Sequence, residues 1–132
     1  GLPLNVVDNH YLTLFPSATE GTLYSFNLTY HISVNLNAGE GYWLYFEADG
    51  ETLINGLVIN ELVINVNHGW NLISGITNSI QITDIDDPDE LIVAGTVFTF
   101  DDVYINASIF EPGKAYWLYS IGSGVLTIFN GE

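Results

Sequence analysis

The chain has 132 residues, no cysteine and a formal charge of −15, because sixteen acidic residues are opposed by a single base, Lys114. This length predicts one domain with a sizeable core. The scarcity of Lys and Arg excludes the basic surfaces that bind nucleic acids or anionic lipids. The absence of cysteine excludes disulfides and thiolate metal sites. No apolar run is long enough to predict insertion into a membrane.

The first third of the chain predicts short strands. Residues 1–7 alternate, with Leu2, Leu4 and Val6 on one face and polar residues or Pro3 on the other. Further strands are predicted over residues 10–15, 21–26, 30–36 and 41–46. The sequence Glu47-Ala48-Asp49-Gly50 then predicts a hairpin turn.

The middle of the chain contains a near-tandem copy, Leu-Val-Ile-Asn at residues 57–60 and again at 62–65. An odd spacing of five residues turns the two copies to opposite faces of a straight strand, which predicts either a bulge or bend near Glu61 or a strand with both faces covered. The remaining strands are predicted over residues 70–74, 80–83, 91–93, 95–100, 103–110, 114–120 and 125–129. Because no helical period is sustained, the chain is predicted to be all-β, as a β-sandwich or a paired barrel-like unit.

The sequence repeats itself with an offset of 74 residues, which aligns 21–45 with 95–119 without a gap and gives nine identities over 25 positions. One inserted residue later, Asn55-Gly56 matches Asn130-Gly131. This periodicity predicts an internal duplication within one domain, with halves at about 8–56 and 67–131 that meet near residues 57–66.

Each half contains a glycine turn followed by a Tyr-Trp strand. Gly39 precedes Tyr42-Trp43, and Gly113 precedes Tyr116-Trp117. Glycine reaches the positive φ of such a turn without a steric clash. Because the strands after the turns are apolar on both faces, we expect Trp43 and Trp117 to be buried and equivalent.

The segments Gly69-Trp70-Asn71-Leu72-Ile73-Ser74 and Pro112-Gly113-Lys114-Ala115-Tyr116-Trp117 resemble a β-rich repeat of secreted prokaryotic surface proteins. In the first half, residues 10–15 are a weak counterpart of the Gly-Trp-Asn segment, and Ala115 replaces a glycine that is usual before Tyr-Trp. The resemblance implies an extracellular or cell-surface accessory module in which Trp70 and the turn and Tyr-Trp residues are structural.

An acidic stretch is the candidate metal site. Its carboxylates are Asp84, Asp86, Asp87, Asp89 and the adjacent Glu90. Hard cations such as Ca²⁺ bind several oxygen ligands, so a calcium site is one interpretation. The spacing is not that of an EF-hand loop, and a solvated acidic surface is the alternative.

No catalytic signature is present, so the chain is predicted not to be an enzyme. His10, His31 and His68 are interpreted as structural residues rather than ligands or bases. The tryptophans could stack on sugars, although aromatic residues in apolar strands are more often in the core. Asn27 and Asn106 begin Asn-X-Ser/Thr triplets, which occur by chance at this composition.

These observations predict a non-enzymatic structural module of an extracellular surface or filament assembly. Its partners would be copies of itself or neighbouring surface-protein domains. One way to assemble is strand addition through Leu2, Leu4 and Val6; the alternative is that residues 1–7 complete their own sheet. The other functional candidate is a carbohydrate-binding accessory module, supported by Ca²⁺ or without a cofactor. An exposed tryptophan would favour the carbohydrate module, and a free N-terminal strand would favour assembly.

Overall fold

Strands dominate the fold in a computed structural model that describes residues 1–130, with 41% of residues in strands and 5% in helix. This confirms the predicted all-β class. One helical turn, α1, spans Tyr11–Leu14, and a 3-10 turn spans Ile82–Asp84. Gly131, which the repeat pairs with Gly56, lies outside the described residues. The strands of the described part are β1 Leu4–Asn5, β2 Tyr24–Asn27, β3 Thr29–Ile32, β4 Tyr42–Trp43, β5 Leu57–Val58, β6 Glu61–Val66, β7 Gly69–Ser74, β8 Ile80–Gln81, β9 Phe98–Asp101, β10 Val103–Asn106, β11 Ile109–Phe110, β12 Ala115–Ser120 and β13 Gly124–Phe129.

The strands form antiparallel sheets that pack together in a sandwich-like arrangement. The largest sheet has the order β10-β9-β12-β7, and a three-stranded sheet has the order β3-β2-β4. Two-stranded ribbons pair β1 with β5, β8 with β11, and β6 with β13. Because β5 and β6 join different partners, the chain bends between the two Leu-Val-Ile-Asn copies, as their odd spacing predicts.

Hydrogen bonds recur at the 74-residue offset. The Tyr45 amide donates to Thr22 Oγ1 at 3.3 Å, and the Tyr119 amide donates to Thr96 Oγ1 at 3.2 Å. Both threonine hydroxyls donate in turn to a carbonyl three residues earlier, each at 2.6 Å. The hairpin β2–β3 therefore occupies in its sheet the place that β9–β10 occupies in the larger one.

The two sheets cover cores of different size. Fourteen buried side chains surround β6, β7, β12 and β13, whereas six lie beneath the three-stranded sheet. On β12, alternate residues are buried, so that Tyr116, Leu118 and Ser120 face the larger core. The other face of β12 points toward the three-stranded sheet and solvent.

The expected strand over residues 10–15 is wrong, because Tyr11–Leu14 form the helical turn α1. His10 caps this turn: its Nδ1 accepts a hydrogen bond from the Leu12 amide at 3.2 Å. The Tyr11 amide donates to Val34 O at 2.9 Å, and the Ile82 amide makes the repeat-equivalent bond to Ser108 O at 3.0 Å. The counterpart of α1 is thus the 3-10 turn, and residues 10–15 do not correspond to β7.

Several other predicted elements differ. The strand predicted over residues 103–110 is divided into β10 and β11, and the strand predicted over residues 80–83 ends at Gln81. Residues 47–50 do not form a hairpin, because residues 50–56 are not in a strand. Residues 91–93 contribute only an isolated bridge between Ile92 and Ser120. Both segments carry a local signal, a turn sequence in one and apolar residues in the other. Neither has a partner strand with which it could pair continuously, and a strand forms only where it pairs.

The N-terminal segment packs against its own chain. Leu2 is only 3% exposed in the smaller core, and β1 pairs with β5. Thr77 Oγ1 donates a hydrogen bond to Pro3 O at 2.6 Å. Leu4 and Val6 are half-buried. Of the two alternatives for residues 1–7, this arrangement agrees with pairing inside the chain and not with a strand left free for another subunit, because the alternating apolar residues are covered by the molecule itself.

Candidate functional site

An exposed aromatic face extends across both larger sheets. Neighbouring rings within it lie with centroids 4.9–6.5 Å apart. None of its side chains is fully buried. The aromatic face consists of Phe26, Tyr30, Trp43, Trp70, Phe98, Phe100, Tyr104, Trp117 and Tyr119.

Strand alternation places these rings on one surface. Phe98 and Phe100 are two residues apart on β9, and Trp117 and Tyr119 are two residues apart on β12, so each pair projects from the same side of its strand. Trp117 lies directly opposite Phe98 in the β9–β12 register. Because Tyr116, Leu118 and Ser120 on the opposite side of β12 face the larger core, Trp117 and Tyr119 project outward.

A cleft of about 420 Å³ opens in the middle of this face. Five strands each contribute one aromatic side chain to its lining: Phe26, Trp70, Phe98, Tyr104 and Trp117. The polar atoms that these side chains offer are the Tyr104 hydroxyl and the two indole N–H groups. The cleft therefore suits an apolar or aromatic group, with few polar partners for a strongly hydrated ligand.

The predicted burial of the tryptophans is wrong. Trp43 and Trp117 are half-buried, and Trp70 is 44% exposed. The strands are apolar on both sides, as the sequence shows, but only one side faces a core. On the other side Trp43 packs edge-to-face against Phe100, and Trp117 packs edge-to-face against Phe26 and Tyr30, which leaves part of each ring in solvent.

The turn residues hold the Tyr-Trp strands in place. Gly39 and Gly113 adopt φ values of 88° and 83°, which glycine tolerates. The hydroxyl of Tyr42 accepts a hydrogen bond from the Asn37 amide at 2.9 Å and donates to a Glu40 carboxylate oxygen. Burial and the Glu40 carboxylate raise the pKa of the Tyr42 phenol well above its usual range.

The tyrosine hydrogen bond across the turn recurs in the second half, where the Tyr116 hydroxyl accepts a hydrogen bond from the Glu111 amide at 2.8 Å. Burial raises the pKa of Tyr116 as well. Lys114 pairs with Glu111 at 2.6 Å on the surface of this turn, and the hydrogen bond raises the pKa of Lys114. These tyrosines are structural clamps across the turn.

The acidic stretch does not converge on a common point. Within residues 1–130 no group of three or more His, Cys, Asp or Glu side chains is arranged to hold a metal ion. Asp87 uses both carboxylate oxygens to accept hydrogen bonds from the Leu91 and Ile92 amides, at 2.8 and 2.9 Å. Asp84, Asp86 and Asp89 are exposed. This geometry fits a turn closed by Asp87 better than it fits the calcium site that the sequence suggested as one interpretation.

The three histidines lie in separate places. His10 caps α1 and stacks on Tyr11 at 5.1 Å. His31 Nε2 lies 3.2 Å from Asn27 O, and His68 contacts the Tyr119 ring edge-to-face at 6.0 Å. The structure does not bring them together.

No protein-family model, curated protein or solved structure matches this chain. Among residues 1–130, no helix has the length and apolar character needed to cross a membrane.

The sequence contained a signal for the aromatic face that strand prediction did not use. Phe26 and Tyr30 are identical to Phe100 and Tyr104 at the 74-residue offset, and both pairs project onto this face with centroids 5.2 and 5.3 Å apart. Repetition of an aromatic pair outside the Tyr-Trp motif indicates a shared role. The side of the sheet on which each pair lies depends on how the strand is aligned with its neighbours. That alignment cannot be predicted from the sequence of one strand alone.

Proposed function

We propose that the chain is a non-enzymatic structural module of an extracellular surface assembly and that it contacts neighbouring subunits through the aromatic face. The observation that carries this proposal is the uncharged aromatic face, on which Tyr30, Trp70, Phe100 and Tyr104 are 44–56% exposed. The extracellular setting rests on the resemblance of the Gly-Trp-Asn and Pro-Gly-Lys segments to repeats of secreted surface proteins.

Two sheet edges extend the same surface. β3 and β10 are edge strands of their sheets, and all four residues of each are exposed. Neither strand carries a charged residue, although edge strands that remain unpaired are commonly protected by charge, proline or a bulge. Tyr30 and Tyr104 are 50% and 56% exposed on these strands. Large exposed apolar patches with aromatic residues are typical of protein interaction surfaces.

The charge of the chain determines how such contacts respond to salt. Copies that each carry −15 repel one another, whereas an aromatic interface gains free energy from apolar burial. Salt screens the repulsion between copies but does not weaken the free energy gained from burying apolar surface. Association through this face should therefore strengthen as ionic strength rises.

Sedimentation velocity across protein and salt concentrations tests the proposal. The wild-type chain should associate more strongly at higher salt, and Trp70→Ser and Tyr104→Ser should shift it toward monomer. Val63→Ser is the matched control, because Val63 is 57% exposed on β6, outside the aromatic face. Electron microscopy of the associated sample shows whether contacts continue into filaments. A wild-type chain that remains monomeric at every salt concentration would contradict assembly between copies.

Carbohydrate binding is the second candidate, and the exposure of Trp70 favours it. A sugar ring stacks on the flat face of an aromatic side chain and needs polar groups around its hydroxyls. The rings beside Trp70 are instead tilted by 52° and 81° to it. Titration with oligosaccharides, monitored by tryptophan fluorescence in wild type and Trp70→Phe, decides this alternative.

A further inference from the structure

The two Tyr-Trp strands differ in the number of their neighbours. In the larger sheet, β12 lies between β9 and β7. In the three-stranded sheet, β4 pairs with β2 and is the edge strand on its other side. Since β4 is the repeat counterpart of β12, the position that β7 fills beside β12 is open beside β4 among the residues described.

Side-chain exposure shows the same difference. Leu118 is 0% exposed beneath β7, whereas its counterpart Leu44 is half-buried. Tyr119 is half-buried beside Trp70, whereas its counterpart Tyr45 is 60% exposed. These two positions have identical residues in both halves, so the difference comes from their surroundings, which include β7 in one half and not in the other.

A groove of about 440 Å³ occupies the open position. Its lining includes Gly1, together with Tyr42 and Trp43 of the first half and Lys114 and Ala115 of the second. The equivalent space beside β12 is filled by β7. A strand in the groove would therefore follow the path that β7 follows on the other half.

Hydrogen bonds mark one end of this path. The amide of Ser74, the last residue of β7, donates to Gly39 O at 2.9 Å. The repeat counterpart of Gly39 is Gly113, and its carbonyl accepts a hydrogen bond from the Gly1 nitrogen at 2.9 Å. Gly1 therefore occupies the position of Ser74, which is the last residue that a β7-like strand in the groove would have.

We propose that the groove binds an extended polypeptide strand with the residue pattern of β7, antiparallel to residues 41–46. The β7–β12 register places Trp70 opposite Tyr119 and Leu72 opposite Trp117. By the same register, the strand carries an aromatic residue opposite Tyr45 and an aliphatic residue opposite Trp43. Main-chain hydrogen bonds to Tyr42 and Leu44 supply affinity, and the alternating side chains supply specificity.

The occupant is a strand with the β7 residue pattern and is not β7 of a second copy. Residues 71–74 of β7 are buried, and all six residues of β7 are paired with β12. Releasing β7 would expose the larger core. The proposal concerns the edge of β4 and does not depend on the aromatic face serving as an interface.

A tethered strand tests the fit at high effective concentration. The sequence Gly-Trp-Asn-Leu-Ile is joined directly ahead of Gly1 of the full chain, so that Gly1 takes the position of Ser74 and the added residues keep the β7 register. The control is Gly-Trp-Pro-Leu-Ile, because the residue in the Asn71 position faces the partner strand opposite Leu44, the counterpart of Leu118, and proline removes its N–H donor. Thermal unfolding and amide hydrogen exchange are measured for both fusions and for the wild-type chain.

The first fusion should raise Tm by several degrees and slow exchange of the Leu44 amide at least tenfold, and the proline fusion should do neither. Substitution of the added Trp by Ser should lose most of the gain, since the aromatic residue no longer covers Tyr45. Equal Tm and equal Leu44 exchange in the wild-type chain and the first fusion would overturn the proposal, as would identical behaviour of the two fusions.

Discussion

Phe26 packs edge-to-face against Trp117, with ring centroids 4.9 Å apart and planes at 77°. The repeat-equivalent pair, Phe100 and Trp43, has the same arrangement at 5.2 Å and 68°. Each contact joins a phenylalanine of one half to the tryptophan of the other, so the two halves hold each other reciprocally. The aromatic face is therefore also the seam between the two larger sheets.

Both aromatic pairs should show a favourable coupling energy in double-mutant cycles. We expect about 0.5–1.5 kcal/mol between Phe26→Leu and Trp117→Leu, the usual value for edge-to-face pairs. The cycle for Phe100→Leu and Trp43→Leu should agree with it. Urea unfolding gives the four free energies of each cycle. Phe26→Leu combined with Phe129→Leu, on the separate ribbon of β6 and β13, is the control and should be additive.

The equivalent leucines of the two halves should differ in their contribution to stability. Leu118→Ala is expected to lower the free energy of unfolding by about 3–5 kcal/mol, because it leaves a cavity in a closed core. Leu44→Ala should cost less than half as much, since Leu44 is already half-buried. Chemical unfolding of both variants measures the difference. Equal losses would mean that β7 adds nothing to the burial of Leu118.

The two turn glycines offer a matched comparison of strain and packing. At positive φ, alanine costs about 1–2 kcal/mol at either position. A Cβ on Gly39 would also lie 3.1 Å from Leu62 Cδ2, whereas a Cβ on Gly113 meets no atom within 4 Å. Gly39→Ala should therefore destabilise more than Gly113→Ala. Gly113→Asn separates the two effects, because asparagine tolerates this conformation and should recover part of the loss.

The sequence predicted the strands that carry strong local signals. Alternation and glycine turns identify β2, β9, β12 and β13 within a few residues, and the odd spacing near Glu61 predicts the bend. The helical turn at Tyr11 escaped prediction because its stability comes from side-chain capping by His10, which leaves no hydrophobic period. Four residues are also too few to show one.

The functional surface was less predictable than the fold. Trp43 and Trp117 lie on strands whose two sides look alike in sequence, so composition could not say which side faces a core. The open position beside β4 depends on a strand that is absent, and a single sequence gives no direct sign of that. Comparison of the halves gives the only indirect sign, since residues 69–74 have no counterpart within residues 1–56.

Asp87 should matter more than its acidic neighbours. Its carboxylate accepts two backbone hydrogen bonds that close the turn before Leu91, so Asp87→Ala should cost about 1–2 kcal/mol. Asp89→Ala, at an exposed residue in the same stretch, is the control and should stay within about 0.5 kcal/mol. Because the Asp87 oxygens are engaged, millimolar Ca²⁺ should leave Tm unchanged. A rise in Tm that Asp87→Ala abolishes would restore the calcium interpretation.

Stability should decline at alkaline pH through Tyr42. Burial, reinforced by the Glu40 carboxylate, raises the pKa of this phenol in the folded chain above its ordinary value of 10.0. Above about pH 10 the unfolded chain loses the phenolic proton while the folded chain retains it, so the free energy of unfolding falls as pH rises. The contribution is fully present below the unfolded pKa and is lost as pH approaches the folded one.

Urea unfolding between pH 9 and 11 measures this dependence for the wild-type chain, Tyr42→Phe and Glu40→Gln. Tyr42→Phe removes the titrating group and should give the shallower decline. Glu40→Gln keeps the phenol but removes the neighbouring charge, so its decline should be intermediate. Part of the decline should persist in Tyr42→Phe, because burial raises the pKa of Tyr116 in the same direction. If the decline in Tyr42→Phe equals that of the wild-type chain, the pKa of the Tyr42 phenol is not raised in the folded chain and the prediction is wrong.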